Sequence, residues 1–346
     1  MHKIAILGAG YMGGAMTFPL AENNLSVNLW GTWLDNEIID SCQKGIHPKL
    51  KKALPDSVNL YYSRDLKKAI EDVDIIFIGV SSDGFLPVFS KVIEVIDKNY
   101  FFFTLTKGFV NDNGKIQRIS KIASKLFYNK FAKEEFNWSS IGGPVKALEI
   151  SKNIPTVSIY GTKNKEMENM TELFSTESYR IVTTDDVIGV ELCSAFKNVY
   201  SMAMGMLDGI YKPSQEGMYH NFSSLIFNQG IIEISKIVGS AGGNRETVTN
   251  FAGIGDLYTT SQSGRNRLFG ELLGKGVSPN TAYRKMLSSG ELAEGYFTLK
   301  HSMEWLASLN SGILYDLPLF KIIYDIIFNN KKPLEELKGL SQIYKK

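Results

Sequence analysis

The run Lys3-Ile4-Ala5-Ile6-Leu7 passes directly into Gly8-Ala9-Gly10-Tyr11-Met12-Gly13, and no other feature constrains the chain so much. The apolar, partly β-branched run reads as a strand, and Gly14 to Glu22 continues as a helical pattern. A G-x-G-x-x-G turn in strand–turn–helix context has a mechanical reason for each glycine. Gly8 allows the tight turn, Gly10 lets the backbone approach a pyrophosphate, and Gly13 lets helix and strand pack closely. The helix N-terminus then offers N–H groups and the positive end of its dipole to phosphates.

The next strand is expected at Ser26–Trp30. The ribose-reading acid of such a unit belongs about 20 residues beyond the glycines, at the end of that strand. Gly31-Thr32-Trp33 stands there instead, and the first acid is Asp35. Without a carboxylate to repel a 2′-phosphate, NADP stays open, with Thr32 and nearby backbone as hydrogen-bonding groups; no Arg affirms it. Lys44 to Leu54 reads as a basic, solvated loop. Apolar runs at 73–80 and 100–105 suit parallel strands buried on both faces, with helices at 65–71 and 85–96. Further strands are expected at 139–142, 154–161 and 179–183. Lys107 follows the 100–105 strand, where parallel sheets bind ligands. The alternation implies an N-terminal α/β domain, a Rossmann-like doubly wound parallel sheet, over residues 1–184.

From Asp185 the character changes, and residues 185–346 read as an all-α C-terminal domain. Its pivotal helix runs from Gly189 to Gly209. Leu192, Phe196, Val199, Ala203 and Met206 share one face, while small and apolar residues surround Lys197, the only charged residue between Leu192 and Leu207. A helix apolar nearly all round is buried on most sides, and a Lys there needs a partner or a task. Further helices are expected at 222–239, 245–251, 267–273, 279–288, 298–308 and 319–329. The segment 252–266 reads as a glycine-punctuated loop whose acid, hydroxyls and Arg-Asn pair suit a small anion.

A net charge of +2 argues against a general electrostatic grip on nucleic acid. The two cysteines, Cys42 and Cys193, give no disulfide framework and fit a reducing compartment. The four histidines are scattered, without metal-ligand spacing, so no metal is expected. The N-terminus enters a strand directly, without a signal-peptide layout. Asp316, Lys321 and Asp325 break the apolar segment 313–328, so no membrane span is expected.

Taken together, GAGYMG (8–13), LTKG (105–108), GGPVKALEI (142–150), DDVIGVELCSAFKNV (185–199), AGIGDLYTT with GRNR (252–267) and AEG (293–295) resemble the NAD(P)-dependent glycerol-3-phosphate dehydrogenases over nearly the whole chain. The resemblance implies interconversion of dihydroxyacetone phosphate and sn-glycerol 3-phosphate by hydride transfer with NAD(H) or NADP(H), supplying glycerol phosphate to glycerophospholipid metabolism. It implies Lys197 as the catalytic proton donor, with Lys107 as the second active-site Lys, near both substrate and nicotinamide. Asn198, Asp256, Thr260, Gly264, Arg265 and Asn266 are the implied substrate-pocket residues, and Arg265 also touches the dinucleotide. Tyr11, Met12, Ala147 and Glu294 fall at positions used around the coenzyme, beside Gly8, Gly10 and Gly13. Val145 and Lys146 replace the Ser and Phe of the family pattern, Ser81-Ser82-Asp83 replaces its Pro-containing loop, and segment 211–221 is unusual.

The expectation is therefore a cytoplasmic enzyme, a homodimer, acting on a small phosphorylated substrate. Its competitors are a dehydrogenase of another small hydroxy acid and a non-catalytic dinucleotide-binding regulator. Arg265-Asn266 argues against the first, and the two lysines against the second.

Overall fold

The computed structural model describes residues 3–212, 219–289, 291 and 293–345. It has two compact units, Met1–Glu191 and Leu192–Lys346.

Ten strands form in the first unit: β1 (Lys3–Leu7), β2 (Ser26–Trp30), β3 (Val58–Tyr61), β4 (Ile75–Ile78), β5 (Phe101–Thr104), β6 (Phe109–Asp112), β7 (Lys115–Arg118), β8 (Trp138–Gly142), β9 (Thr156–Gly161) and β10 (Tyr179–Thr184). Helices α1 (Tyr11–Glu22), α2 (Asn36–Gln43), α3 (Leu66–Ala69), α4 (Ser82–Val95), α5 (Ile119–Phe131), α6 (Ala147–Ile150) and α7 (Lys165–Phe174) connect them. The main sheet has the order β10-β9-β8-β5-β4-β1-β2-β3, with β6 and β7 as a separate hairpin. Strand order reverses between β1 and β4, which makes the crevice past their carboxyl ends the expected ligand position. One pair, β8 with β9, runs antiparallel, so the sheet is mixed rather than wholly parallel.

Alternate strand residues feed two different cores. Ile4, Ile6, Ile75, Phe77 and Phe103 belong to one; Ala5, Leu7, Ile76, Ile78 and Phe102 belong to the other. This period-2 division explains why these strands read as unbroken apolar runs. On one face Phe77 stacks on Phe103 at 5.1 Å, and Phe174 of α7 meets both edge-on.

No strand occurs among the described residues of the second unit. It contains α8 (Val187–Tyr211), whose first turn still belongs to the first unit, then α9 (His220–Ser240), α10 (Arg245–Val248), α11 (Asp256–Gln262), α12 (Arg265–Gly274), α13 (Pro279–Ser288), α14 (Glu294–Leu309), α15 (Pro318–Phe328) and α16 (Pro333–Gly339). The segment 252–266, expected as a loop, is mostly helical: a π-turn at Phe251–Gly255 leads into α11, and only Ser263-Gly264 interrupts before α12. Of the unusual segment 211–221, residues 213–218 lie outside the described ones.

Two features hold the helical unit. First, α8 and α12 touch backbone to backbone. A Cβ on Gly205 would come 2.0 Å from the carbonyl oxygen of Arg267, and one on Gly270 would come 1.9 Å from that of Met202. Second, the fully buried Glu233 of α9 caps α15. Its carboxylate accepts from the backbone N–H groups of Leu319 (2.7 Å) and Phe320 (2.9 Å), from Gln229 Nε2 (2.7 Å) and from Tyr200 Oη (3.0 Å). Burial pushes its pKa up to about 7, against those donors.

Candidate active site

In the first unit the turn between β1 and α1 has the properties of a phosphate cradle. Gly8 has φ +110°, and a Cβ there would lie 2.7 Å from the carbonyl oxygen of Gly79 past β4. A Cβ on Gly13 would lie 1.8 Å from the carbonyl oxygen of Gly8. At Gly10 a Cβ would meet no protein atom within 4 Å, so the backbone there is bare on its outer side. No side chain caps α1, and no acid stands in its first turn. An uncapped N-terminus with positive dipole and open backbone fits a dinucleotide pyrophosphate.

Tyr11 is exposed at the start of α1, while Met12 and Ala147 pack partly buried on the core. Lys107 stands three residues past β5, and its Nζ donates to the carbonyl oxygen of Gly143 at 3.4 Å. Val145, where the resemblance expects Ser, packs against the same core and donates its backbone N–H to that carbonyl at 2.8 Å. Thr32 is buried, and its hydroxyl donates to Asp35 Oδ2 at 2.8 Å, so it is already committed within the protein.

Sequence reasoning missed His47, in the segment expected to be solvated. The residue is wholly buried, and so is Leu50. Its Nε2 meets the carbonyl oxygen of Ala9 at 2.9 Å, while Nδ1 accepts the N–H of Leu50 at 3.2 Å. Those bonds assign the neutral tautomer with hydrogen on Nε2, and burial holds its pKa below the ordinary value in agreement. The only signal in the sequence was an Ile-His-Pro inside the lysine-rich run.

In the second unit α8 carries Lys197 into the interior. Leu192, Cys193, Phe196, Val199 and Tyr200 are buried around it, and Lys197 itself is 6% exposed. Its ammonium is paired with Asp256 Oδ1, and Asp256 is 1% exposed. Asp256 opens α11, where the helix dipole favours a carboxylate. Thr260, one turn on, donates its hydroxyl to the same oxygen at 3.5 Å. The preceding π-turn is the kind of helix irregularity found at functional positions.

Asn198, next in sequence, connects two more segments. Its Nδ2 donates to Glu294 Oε2 (3.2 Å), and its Oδ1 accepts from Asn266 Nδ2 (2.9 Å). Asn266 Oδ1 accepts the backbone N–H of Gly295 at 2.8 Å. Arg265, at the first turn of α12, donates from Nη2 to Glu294 Oε1 at 3.4 Å and keeps half its side chain exposed. Gly264, just before it, has φ +126°, which a side chain would strain. Residues from 197–198, 256–260, 264–266 and 294–295 thus form one bonded cluster. It offers a buried ammonium aimed by a carboxylate, and a half-exposed guanidinium at a helix start. The first can give and take a proton; the second suits a phosphate. Among the described residues, no group of His, Cys, Asp and Glu is arranged to hold a metal ion.

A family model described as the NAD-dependent glycerol-3-phosphate dehydrogenase N-terminus matches residues 3–168. The model for the C-terminus of that family matches residues 186–338. An NADP(+)-dependent glycerol-3-phosphate dehydrogenase of Archaeoglobus fulgidus is 33% identical over 341 residues, covering 98% of each chain. A glycerol-3-phosphate dehydrogenase of Bacillus velezensis, named for NAD(P)+, is 30% identical over 338 residues, covering 96% of this chain and 92% of the relative. The crystal structure of a glycerol-3-phosphate dehydrogenase from Coxiella burnetii aligns with a TM-score of 0.82 at 28% identity, covering 99% of both chains.

Proposed function

The chain belongs to the NAD-dependent glycerol-3-phosphate dehydrogenase family, and on that premise we propose that it interconverts dihydroxyacetone phosphate and sn-glycerol 3-phosphate. The observation that carries this reading is the buried Lys197–Asp256 pair, bonded through its neighbours to Arg265. A bound reduced nicotinamide supplies the hydride. As the carbonyl carbon is reduced, its oxygen develops alkoxide charge. Lys197 Nζ stabilises that charge and gives the oxygen a proton; in the oxidative direction it takes the proton back. Asp256 holds the ammonium in direction and compensates its charge in a buried position. Arg265 grips the phosphate with its planar fork, and Asn198, Asn266, Thr260 and Gly264 shape the pocket around it. Lys107 serves on the nicotinamide side of the reaction, and Gly8, Gly10, Tyr11, Met12 and Gly13 hold the dinucleotide. The thiols of Cys42 and Cys193, not joined in a disulfide, support a reducing, cytoplasmic location, and no helix of the described residues is long and apolar enough to cross a membrane. The reading includes a homodimer and a role in supplying glycerol phosphate to glycerophospholipids.

The test uses the intact protein, dihydroxyacetone phosphate and unphosphorylated dihydroxyacetone, followed at the reduced-nicotinamide absorbance band. Wild type reduces the phosphorylated ketone and uses the other poorly. Arg265→Lys keeps the charge but loses the fork, so KM for the phosphorylated ketone rises by about 10- to 100-fold, the worth of a charged hydrogen bond. The unphosphorylated ketone is much less affected. Equal losses on both ketones would remove Arg265 as the phosphate anchor.

A further inference from the structure

Two cations, Arg265 and Arg267, stand in the first turn of α12, and no acid does. Positive charge at a helix N-terminus opposes the dipole, so each needs a compensating task. Residues two apart on a helix do not share a face. Arg265 turns to Glu294 and keeps half its side chain exposed. Arg267 turns the other way and is mostly buried.

There its guanidinium makes two connections. Nη2 pairs with Oδ2 of Asp208, a buried carboxylate on α8. Nη1 donates to the carbonyl oxygen of Gln262, the last residue of α11. The side chain thus bridges the Ser263-Gly264 break, and Arg265 stands directly after that break. The backbone of Arg267 is held as well, its carbonyl oxygen pressed against Gly205, three residues before Asp208 on α8. Asp208 is fixed in turn: Tyr219 donates its hydroxyl to Oδ1, and Lys212 Nζ stands 3.4 Å from Oδ2. Burial, with the carboxylate beside it, pushes Tyr219 up to about 12, so the hydroxyl keeps its proton at neutral pH. Neither Asp208 nor Arg267 is a member of the cluster that carries Lys197, Asn198 and Asp256.

We propose that Arg267, clamped on Asp208, is a positioning residue for the phosphate grip: it holds the Gly264-Arg265 turn so that the Arg265 fork meets the substrate phosphate already oriented. The proposal rests on the dehydrogenase reading above. A planar fork holds two acceptors at a fixed separation, which an ammonium on a flexible stem does not. Without the brace Arg265 would keep its charge, but the substrate would have to order its turn, at a cost in affinity.

The test loosens the clamp from either end. Arg267→Lys keeps the charge beside Asp208 and loses the fork; Asp208→Asn keeps the shape and loses the charge. Each is assayed with dihydroxyacetone phosphate and with unphosphorylated dihydroxyacetone, alone and combined with Arg265→Lys. Melting temperature and coenzyme Kd are measured on the same preparations. Both variants raise KM for the phosphorylated ketone by about three- to tenfold, the cost of ordering a long side chain. The kcat/KM for the unphosphorylated ketone and the coenzyme Kd stay near wild type. In the Arg265→Lys background the same changes add little, because they act through a fork already removed. A full additional loss in that background, an equal loss on both ketones, or an unchanged KM overturns the proposal and leaves the dehydrogenase reading intact. If Arg267→Lys does not fold, Asp208→Asn decides by the same criteria. A wild type that reduces neither ketone would instead overturn that reading.

Discussion

On the proposed function, the first unit would meet its ligand with backbone and the second with side chains. Around Gly8–Gly13 what matters is where atoms are missing: the uncapped α1 terminus and the bare face of Gly10. Around Lys197 what matters is what has been buried and paired: an ammonium, a carboxylate and two amides linked across four segments. A backbone site costs little stability, because helix ends leave unsatisfied N–H groups in any case. A buried side-chain site is coupled to folding, because each partner depends on the others. Substitutions should therefore separate binding from stability in the first unit and entangle them in the second.

The largest effect expected is at Lys197. Lys197→Met should lower kcat by about 10²–10⁴-fold, the range for a lost general acid. It should also destabilise the protein by about 3–5 kcal/mol, because the Asp256 carboxylate loses its buried cation. The double variant Lys197→Met, Asp256→Asn should recover much of the melting temperature and none of the turnover. If turnover returned with stability, Lys197 would be a structural cation only.

A smaller effect, confined to binding, is expected at Gly10. Gly10→Ala places a methyl where no protein atom lies, so melting should barely move while coenzyme Kd rises about tenfold, roughly 1.4 kcal/mol. Gly13→Ala, in contrast, forces a Cβ into the Gly8 carbonyl and should unfold the turn. If Gly10→Ala bound coenzyme normally, the bare backbone would not be the contact surface.

The mildest test concerns Glu233, which caps α15 from the helical core. Its folded pKa of about 7 stands above the ordinary carboxylate value of 4.5. Its favourable contribution is therefore complete below about pH 4.5 and is lost as pH rises through about 7. Melting temperature against pH should lose this component in Glu233→Gln, which cannot ionise, although the amide is a poorer cap at every pH. Profiles of identical shape would show that Glu233 does not titrate in that window.

The same contrast governs how much could be read from sequence. The β1–α1 turn was legible because eleven contiguous residues, Lys3 to Gly13, specify strand, turn and helix start together. Lys197 was legible as an anomaly, a lone charge on an apolar helix, but its partner lies 59 residues away and periodicity says nothing about such pairings. Asn198 and Glu294 entered through family motifs and Asn266 through the Arg-Asn pair, without any indication that they bond to one another. The strand β3, the hairpin β6–β7 and helices α2, α5 and α7 were not anticipated; several are short or half-solvated, with weak patterns. The segment around His47 misled because its lysines are solvated and its one buried polar residue is outnumbered. The 252–266 segment misled because its glycines suggest a loop, whereas two of them close a π-turn and one, Gly253, lets the turn approach the carbonyl oxygen of Val248.

The contact between α8 and α12 through Gly205 and Gly270 sets a gauge. Side chains can repack, but two backbones in contact cannot slide without breaking the fit. Lys197 rides on one helix and Arg265 opens the other, so the span from the proposed proton donor to the proposed phosphate grip is fixed before any substrate arrives. A phosphorylated ketone longer or shorter by one carbon would keep its phosphate on Arg265 and present its carbonyl about 1 Å or more off the ammonium, an error of the size that costs roughly 10²-fold in rate. Selection by length would then be a property of the helix pair, and no wall at the far end of the pocket would be required.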